Sequence, residues 1–147
     1  MSKIAELHDA VKQGDLTAIK TILHADCLLA NARSETDVRG TYPLHVAAEF
    51  GQAHTAKLLI DYGADVALLD SENDASALCW AAFFGRPEVV EVLLAAGAEP
   101  SQRNKHGLTP LGCALGGTQG KWKPFSNASL EDWQKCLEII RAGGGVE

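Results

Sequence analysis

The sequence contains 147 residues, of which 46% are hydrophobic and 22% charged, a composition typical of one soluble domain rather than two. Its formal net charge of −6 argues against nucleic acid or an anionic membrane as a partner, because both attract basic surfaces. No apolar run approaches the roughly 20 residues needed to cross a bilayer. The first residues lack the apolar stretch of a secretory signal, so we expect a cytoplasmic protein.

A short motif recurs four times along the chain. It begins at Leu7, Leu44, Leu78 and Leu111, which follow one another at intervals of 37, 34 and 33 residues. In the first three copies an alanine stands three positions after the leucine and a glycine stands seven positions after it. The fourth copy keeps the alanine but has Thr118 in place of the glycine. A period of this length predicts a stack of similar structural units.

Each unit is expected to contain two short helices. Pro43 and Pro110 suit the first turn of the first helix, where no N–H group is needed, and Thr109 can cap that helix. The second helix is predicted over about residues 54–62 in one unit and 87–96 in the next. Each of these helices ends before a glycine that fits the left-handed backbone of a helix terminus, Gly63 or Gly97.

Two stretches of the second unit carry a family resemblance. Residues 43–51 read Pro-Leu-His-Val-Ala-Ala-Glu-Phe-Gly, and residues 58–65 read Leu-Leu-Ile-Asp-Tyr-Gly-Ala-Asp. The pattern resembles the ankyrin repeat, which runs Thr-Pro-Leu-His-x-Ala-Ala, then Gly, a Leu-Leu pair and Gly-Ala-Asp. The third unit departs from this pattern at Asp74, Ala77 and Cys79, which replace glycine, proline and histidine.

The resemblance implies an all-α ankyrin-repeat solenoid of helix-turn-helix pairs with hairpin-like finger loops between them. It places four repeats in a single domain of residues 1–147, at about 4–36, 37–70, 71–103 and 104–144. It also implies a structural role for His8 and His45, which occupy the histidine position of the repeat. The side chain at that position ties the backbone of one unit to the next.

The fourth unit contains an insertion, residues 118–129, between its two helices. The helix that follows starts at Ser129 with Ser-Leu-Glu-Asp, a sequence similar to a capping box. Two interpretations of the insertion stay open. Its rings, Trp122 and Phe125, either fold back onto the last interface or form a lip that contacts a partner.

An ankyrin array has a concave side, built from finger tips and first helices, where partners bind. The second, fifth and sixth positions after each repeat leucine vary and should face it. In the middle units they predict an exposed apolar strip with one acidic residue: Val46, Glu49, Phe50, Trp80, Phe83 and Phe84. The finger tips complete the predicted partner-binding site with Arg39, Tyr42, Asn73, Lys105 and His106. The alternative is that Trp80 packs between units and that Phe50 and Phe84 pack along the helix-pair seam.

No group of residues predicts a catalytic or metal centre. The histidines stand in no motif with a serine or cysteine, and no phosphate-binding or zinc-protease motif occurs. The four cysteines fit no zinc spacing, so we expect free thiols in a reducing cytoplasm. The acidic cluster Asp70, Glu72 and Asp74 lacks the glycine and distal glutamate of a calcium loop, which favours a solvated turn.

We therefore expect a non-catalytic module that binds a protein or peptide on its concave face as an adaptor, inhibitor or scaffold. It should work as a monomer without a cofactor, and it is not expected to be an enzyme. The alternative is an enzyme or small-ligand protein that uses residues 116–125 as a lid.

Overall fold

The computed structural model describes residues 2–147, which form four helix pairs stacked side by side. The first helices of the pairs pack in one row and the second helices pack in another. This confirms the predicted all-α solenoid. Within the described residues the helices are α1 (Lys3–Gln13), α2 (Leu16–Ala25), α3 (Pro43–Glu49), α4 (Ala53–Asp61), α5 (Ala77–Phe84), α6 (Pro87–Ala95), α7 (Pro110–Thr118) and α8 (Leu130–Ala142), with a 3₁₀ helix at Cys27–Asn31.

The loops between repeats form the predicted hairpin-like fingers. In the middle finger, the N–H of Asp70 donates to the carbonyl of Ala75 at 3.0 Å. Neighbouring fingers are joined by their backbones, since the N–H of Ser71 donates to Arg39 O at 3.1 Å and that of Lys105 to Asn73 O at 2.9 Å. The fingers therefore form one continuous edge along the array.

Asp74 occupies the turn position that glycine holds in the neighbouring fingers. Its φ is 50°, whereas Gly40 and Gly107 have φ values of 67° and 78°. Aspartate is one of the few residues that tolerates this left-handed backbone, because its short side chain can hydrogen-bond locally. The replacement seen in the sequence therefore leaves the shape of the turn unchanged.

His45 ties two repeats together, as the resemblance implies. Its Nδ1 accepts the N–H of Tyr42 at 3.1 Å, so its Nε2 carries the proton and donates to Ala75 O at 2.9 Å in the next repeat. His8 instead pairs with the carbonyl of Ala32 at 3.0 Å, within the expected bounds of its own unit. Only one of the two histidines therefore makes the predicted link between units.

Cys79 stands where the third repeat would have its histidine. Its Sγ lies 3.9 Å from the carbonyl of Leu108, the position that corresponds to Ala75 in the previous repeat. A thiol is a weak donor at this distance, so the link between the third and fourth repeats depends on packing more than on this hydrogen bond.

Two consecutive glycines in α7 make room for tryptophan rings. A Cβ atom on Gly117 would lie 2.0 Å from Cδ1 of Trp133, and one on Gly116 would lie 2.6 Å from Cζ2 of Trp122. Glycine in a helix costs about 1 kcal/mol relative to alanine. Here the cost is offset because two large rings pack directly against the helix backbone.

We expect Gly117→Ala to lower the free energy of unfolding by about 1–3 kcal/mol, because the new methyl group overlaps the Trp133 ring. The matched control is Gly112→Ala in the same helix, where the added Cβ has its nearest neighbour at 3.4 Å. That variant should gain up to about 1 kcal/mol from helix propensity. Urea unfolding followed by circular dichroism measures both, and equal effects in the two variants would contradict the explanation.

Stability should fall as the pH drops below neutral. Burial lowers the pKa of His45 from its ordinary value of 6.5, and its hydrogen bond to Ala75 opposes the shift only in part. The unfolded chain therefore takes up a proton near pH 6.5 that the folded chain resists, so unfolding becomes easier from about pH 7 downward. Burial also lowers the pKa of His8, which adds to the same slope.

In urea unfolding between pH 7.5 and 5.5, His45→Gln should be less stable than the wild type but less sensitive to pH. His54→Gln, at an exposed position of α4, is the control and should keep the wild-type slope. A slope that His45→Gln leaves unchanged would mean that other groups cause the acid sensitivity. An NMR titration of the His45 ring in the wild-type protein gives an independent reading.

Candidate functional site

A cavity of about 720 Å³ lies between the fingers, α5, α7 and the insertion. We call it the aromatic cavity, because five aromatic side chains line it: Trp80, Phe83, Phe84, Trp122 and Phe125. Its remaining lining comes mainly from finger residues and from the thiols Cys79 and Cys113. The site is therefore mostly apolar, with polar groups along the finger edge.

Trp80 forms the floor of this cavity rather than an exposed surface. The residue is 5% exposed, and its indole N–H donates to the Asp70 carboxylate at 2.7 Å. Its ring lies 5.2 Å from that of His45 in a T-shaped arrangement, and the Arg39 guanidinium lies 4.9 Å from its centre. The prediction that Trp80 is exposed is wrong, because a neighbouring repeat and finger cover it.

The other predicted rings differ in their surroundings. Val46 is 7% exposed and belongs to the core, so its prediction as an exposed residue is also wrong. Phe50 is 40% exposed but lies outside the cavity lining, with the Lys12 ammonium 5.5 Å from its ring. Phe83 and Phe84 are partly exposed. The predicted exposed strip across two repeats is therefore reduced, within the cavity, to the rings of Phe83 and Phe84. The buried Trp80 lies beneath them as the cavity floor.

The insertion forms one wall of the aromatic cavity through Trp122 and Phe125. Phe83 is surrounded by three rings whose centres lie 4.5 Å away in Trp122, 5.0 Å in Phe84 and 5.9 Å in Phe125. The indole N–H of Trp122 donates to Cys113 O at 2.7 Å, whereas Phe125 remains 64% exposed at the rim. The first interpretation holds for Trp122, which folds back onto the array, whereas contact of the exposed Phe125 with a partner stays a prediction.

The last carbonyls of α5 bind the insertion and the helix that follows it, α8. Ser126 donates its hydroxyl to Phe84 O at 2.7 Å, and Trp133 donates its indole N–H to Phe83 O at 3.0 Å. These carbonyls have no partner within the helix, so side chains from the insertion and α8 satisfy them. The wall of the cavity is fixed to the helix that carries its rings.

The finger residues divide between the cavity and the outer surface. His106 Nε2 lies 3.2 Å from Asn73 Oδ1 at the cavity edge. Tyr42 lies outside the lining and its hydroxyl accepts from Arg33 at 3.0 Å, and Lys105 is exposed beyond the edge. The structure thus brings together seven predicted site residues in the lining: Arg39, Glu49, Asn73, Trp80, Phe83, Phe84 and His106. Tyr42, Val46, Phe50 and Lys105 lie outside it.

One guanidinium holds two carboxylates at the finger edge. Arg39 Nη2 lies 2.8 Å from Asp37 Oδ2 and 3.0 Å from Glu49 Oε1. The hydrogen bonds from Arg39 lower the pKa of Asp37 to about 2, against an opposing effect of burial. The same hydrogen bonds, with Asp37 as the larger contributor, raise the pKa of Arg39. The triad therefore keeps a net negative charge beside the cavity.

Asp70 does not belong to a solvated turn, contrary to the sequence-based expectation. The residue is 1% exposed, and its carboxylate accepts the indole N–H of Trp80 and the backbone N–H groups of Asn73 and Ala75. Glu72 and Asp74 on the same finger are exposed, as expected. Only one member of the acidic cluster is structural.

The Cys79 thiol at the floor of the cavity is poorly suited to nucleophilic chemistry. Cys79 and Cys113 are buried, with their sulfur atoms 3.3 Å apart. The hydrogen bond with Cys113, followed by burial, raises the pKa of Cys79 well above its ordinary value. Because the thiolate is the reactive form, these contacts suppress reactivity. The cavity is lined mainly by apolar side chains.

Among residues 2–147, no three or more histidine, cysteine, aspartate or glutamate side chains are grouped in a way that would hold a metal ion. Over the same part of the chain, none of the helices combines the length and hydropathy of a bilayer crossing.

Three of the curated relatives illustrate what the chain is similar to. It is 35% identical over 106 residues to the E3 ubiquitin-protein ligase hecd-1 of Caenorhabditis elegans, covering 72% of this chain and 4% of that protein. It is 42% identical over 80 residues to a putative ankyrin repeat-containing protein of Treponema pallidum (strain Nichols), covering 54% and 27%. It is 30% identical over 140 residues to the inactive serine/threonine-protein kinase TEX14 of Mus musculus, covering 94% and 9%. The chain therefore spans less than a third of each of these relatives.

A family model described as ankyrin repeats (3 copies) matches residues 7–104, and so ends before the helix pair that carries the insertion. This match covers most of the chain and agrees with the stacked helix pairs, the fingers and the His45 link between repeats. The chain belongs to the ankyrin repeat family.

Proposed function

We propose that this chain is a non-catalytic module that binds a segment of another protein in the aromatic cavity. Ankyrin repeats are in general protein–protein interaction modules, and the family membership supports that class. The observation that carries the proposal is the group of partly exposed rings, Phe83, Phe84 and Phe125, around one cavity of about 720 Å³. The proposal keeps the monomeric state, the cytoplasmic location and the role as adaptor, inhibitor or scaffold.

Burial of these rings by a partner would supply the binding energy. Aromatic side chains carry large apolar surfaces, and residues of this kind dominate the energetics of interfaces. The 64% exposure of Phe125 leaves most of its surface available for a partner to cover. Trp80 contributes as a flat floor rather than as a protruding anchor.

The wall of the cavity is held in position before a partner arrives. Trp122 and Ser126 donate hydrogen bonds to Cys113 O and Phe84 O, both at 2.7 Å. Binding to a preorganised site avoids the entropy cost of ordering a loop. The insertion therefore acts as a fixed lip of the repeat array.

A small apolar ligand is the second candidate, favoured by the volume of the cavity, which lies within the range of known ligand pockets. Trp122 and Phe125 of the predicted lid both line the cavity, as does His106. Enzymatic use has less support, because His106 pairs with Asn73 and the Cys79 thiol is held protonated. Among the described residues that line the cavity, no nucleophile contacts a base as covalent catalysis requires.

We expect Phe125→Ala to weaken partner capture at least about tenfold while leaving thermal unfolding nearly unchanged. The ring is exposed at the rim, so its loss removes contact surface without opening the core. Tagged protein is incubated with lysate of the native host, the captured protein is identified by mass spectrometry, and its affinity is measured after purification.

Leu28→Ala is the matched control, because Leu28 is 79% exposed on the 3₁₀ helix at the other end of the array. It should leave both capture and stability unchanged. Trp80→Ala, by contrast, should lose about 3–5 kcal/mol of stability because it removes a buried ring. Capture that survives Phe125→Ala but fails with Leu28→Ala would place the binding surface elsewhere.

A further inference from the structure

We propose that the aromatic cavity takes an aromatic side chain from a partner segment that carries a basic residue next to it, on the side that faces Glu72. This inference rests on the proposed function and specifies the chemistry of the partner. It follows from the rings that line the cavity and from the charges along its finger edge.

The aromatic lining of the cavity favours an aromatic side chain as the part of the partner that enters it. Phe83 already packs against Phe84 with the ring planes at 77°, and against Trp122 and Phe125 at 32° and 44°. Such tilted and edge-on pairs are the geometries that aromatic rings prefer. A further ring inserted from the partner would extend this cluster over the exposed faces of Phe84 and Phe125.

The charges at the finger edge favour a basic residue next to the partner's aromatic side chain. Glu72 lines the cavity, is exposed and forms no ion pair among the described residues. Beside it, Asp37 and Glu49 share the single guanidinium of Arg39, the only lysine or arginine among the lining residues of the described chain. These four groups together carry a net charge of −2, which favours a cation in the partner.

The finger edge already holds one cation, the Arg39 guanidinium, against an aromatic ring, that of Trp80. The Arg39 guanidinium lies 4.9 Å from the centre of the Trp80 ring while it bonds to two carboxylates. Contact with an aromatic face stabilises a cation at this distance. A basic residue of the partner would meet the Glu72 carboxylate, which lines the same cavity as the rings and forms no ion pair among the described residues.

Apart from Arg39, no lysine or arginine of the described chain lines the cavity, so the net charge at its edge stays negative. Lys105 is exposed on the neighbouring finger, and Lys121 and Lys123 are exposed in the insertion. None of the three lines the aromatic cavity or forms an ion pair within the described residues. The two sides of the cavity therefore differ in charge, and a partner segment has a preferred orientation.

Three probes that share one ring and differ in charge test the inference. They are tryptamine, indole-3-propionamide and indole-3-propionate, which carry charges of about +1, 0 and −1 at neutral pH. Binding is followed through the indole N–H signals of the protein by NMR. Trp80 and Trp122 line the cavity and should respond, whereas Trp133 lies outside the lining and should respond less.

We expect tryptamine to bind about two- to fivefold more tightly than the amide, and the propionate more weakly than the amide by a similar factor. These differences should shrink in 0.5 M salt, because exposed charges are screened. Glu72→Gln should reduce the advantage of tryptamine. Glu91→Gln, at an exposed position of α6, is the matched control and should leave the order unchanged.

The outcomes separate this inference from the proposed function. If the probes shift the Trp80 and Trp122 signals but bind in no order of charge, or if Glu72→Gln leaves the order intact, the basic neighbour is wrong and the aromatic anchor stands. If none of the probes shifts these signals, the cavity does not accept an aromatic anchor and the inference is overturned as a whole. Loss of partner capture in Phe125→Ala would then still test the proposed function by itself.

Discussion

The site depends on the hydrogen bonds that the buried carboxylate of Asp70 accepts. It accepts the Trp80 indole N–H at 2.7 Å, the backbone N–H of Asn73 at 2.6 Å and that of Ala75 at 3.3 Å. Burying a carboxylate is costly unless such donors surround it. The carbonyl of Ala75 also accepts a hydrogen bond from Nε2 of His45, so one short segment joins a finger, the cavity floor and the preceding repeat.

Close packing around α7 is the second feature that shapes the site. Gly116 and Gly117 let Trp122 and Trp133 approach the helix backbone, and both indoles then donate to backbone carbonyls, of Cys113 and Phe83 respectively. The insertion is therefore part of the packed structure rather than a loop laid over it. Because each indole has its partner, the rings combine apolar burial with satisfied hydrogen bonds, a condition for burying tryptophan without penalty.

The repeat leucines and alanines make the architecture predictable, because they are buried at the same positions of all four helix pairs. His45 adds one predicted link between repeats. The same reasoning fails for Trp80 and Val46. It assigns exposure from helix position, whereas Trp80 is buried by its contacts with Asp70 and with His45 of the preceding repeat. The insertion shows the same limit, since its sequence reveals two rings but not that Gly116 on α7 makes room for one of them, Trp122. The hydrogen bond between Trp80 and Asp70 joins residues that do not recur at the matching positions of the other repeats, so the repeat pattern does not predict it.

The aromatic cavity lies where the chain departs from its own repeat. Cys79 replaces the linking histidine, Asp74 replaces the turn glycine, and Trp80 fills a position that holds Val46 one repeat earlier. A histidine at position 79 would place a larger polar ring where two thiols now meet at 3.3 Å, beside the floor. Natural proteins break their local rules chiefly at functional sites, where stability is balanced against another requirement. The concentration of these departures around one cavity supports the proposal that a partner binds in the cavity rather than on the regular face of the array.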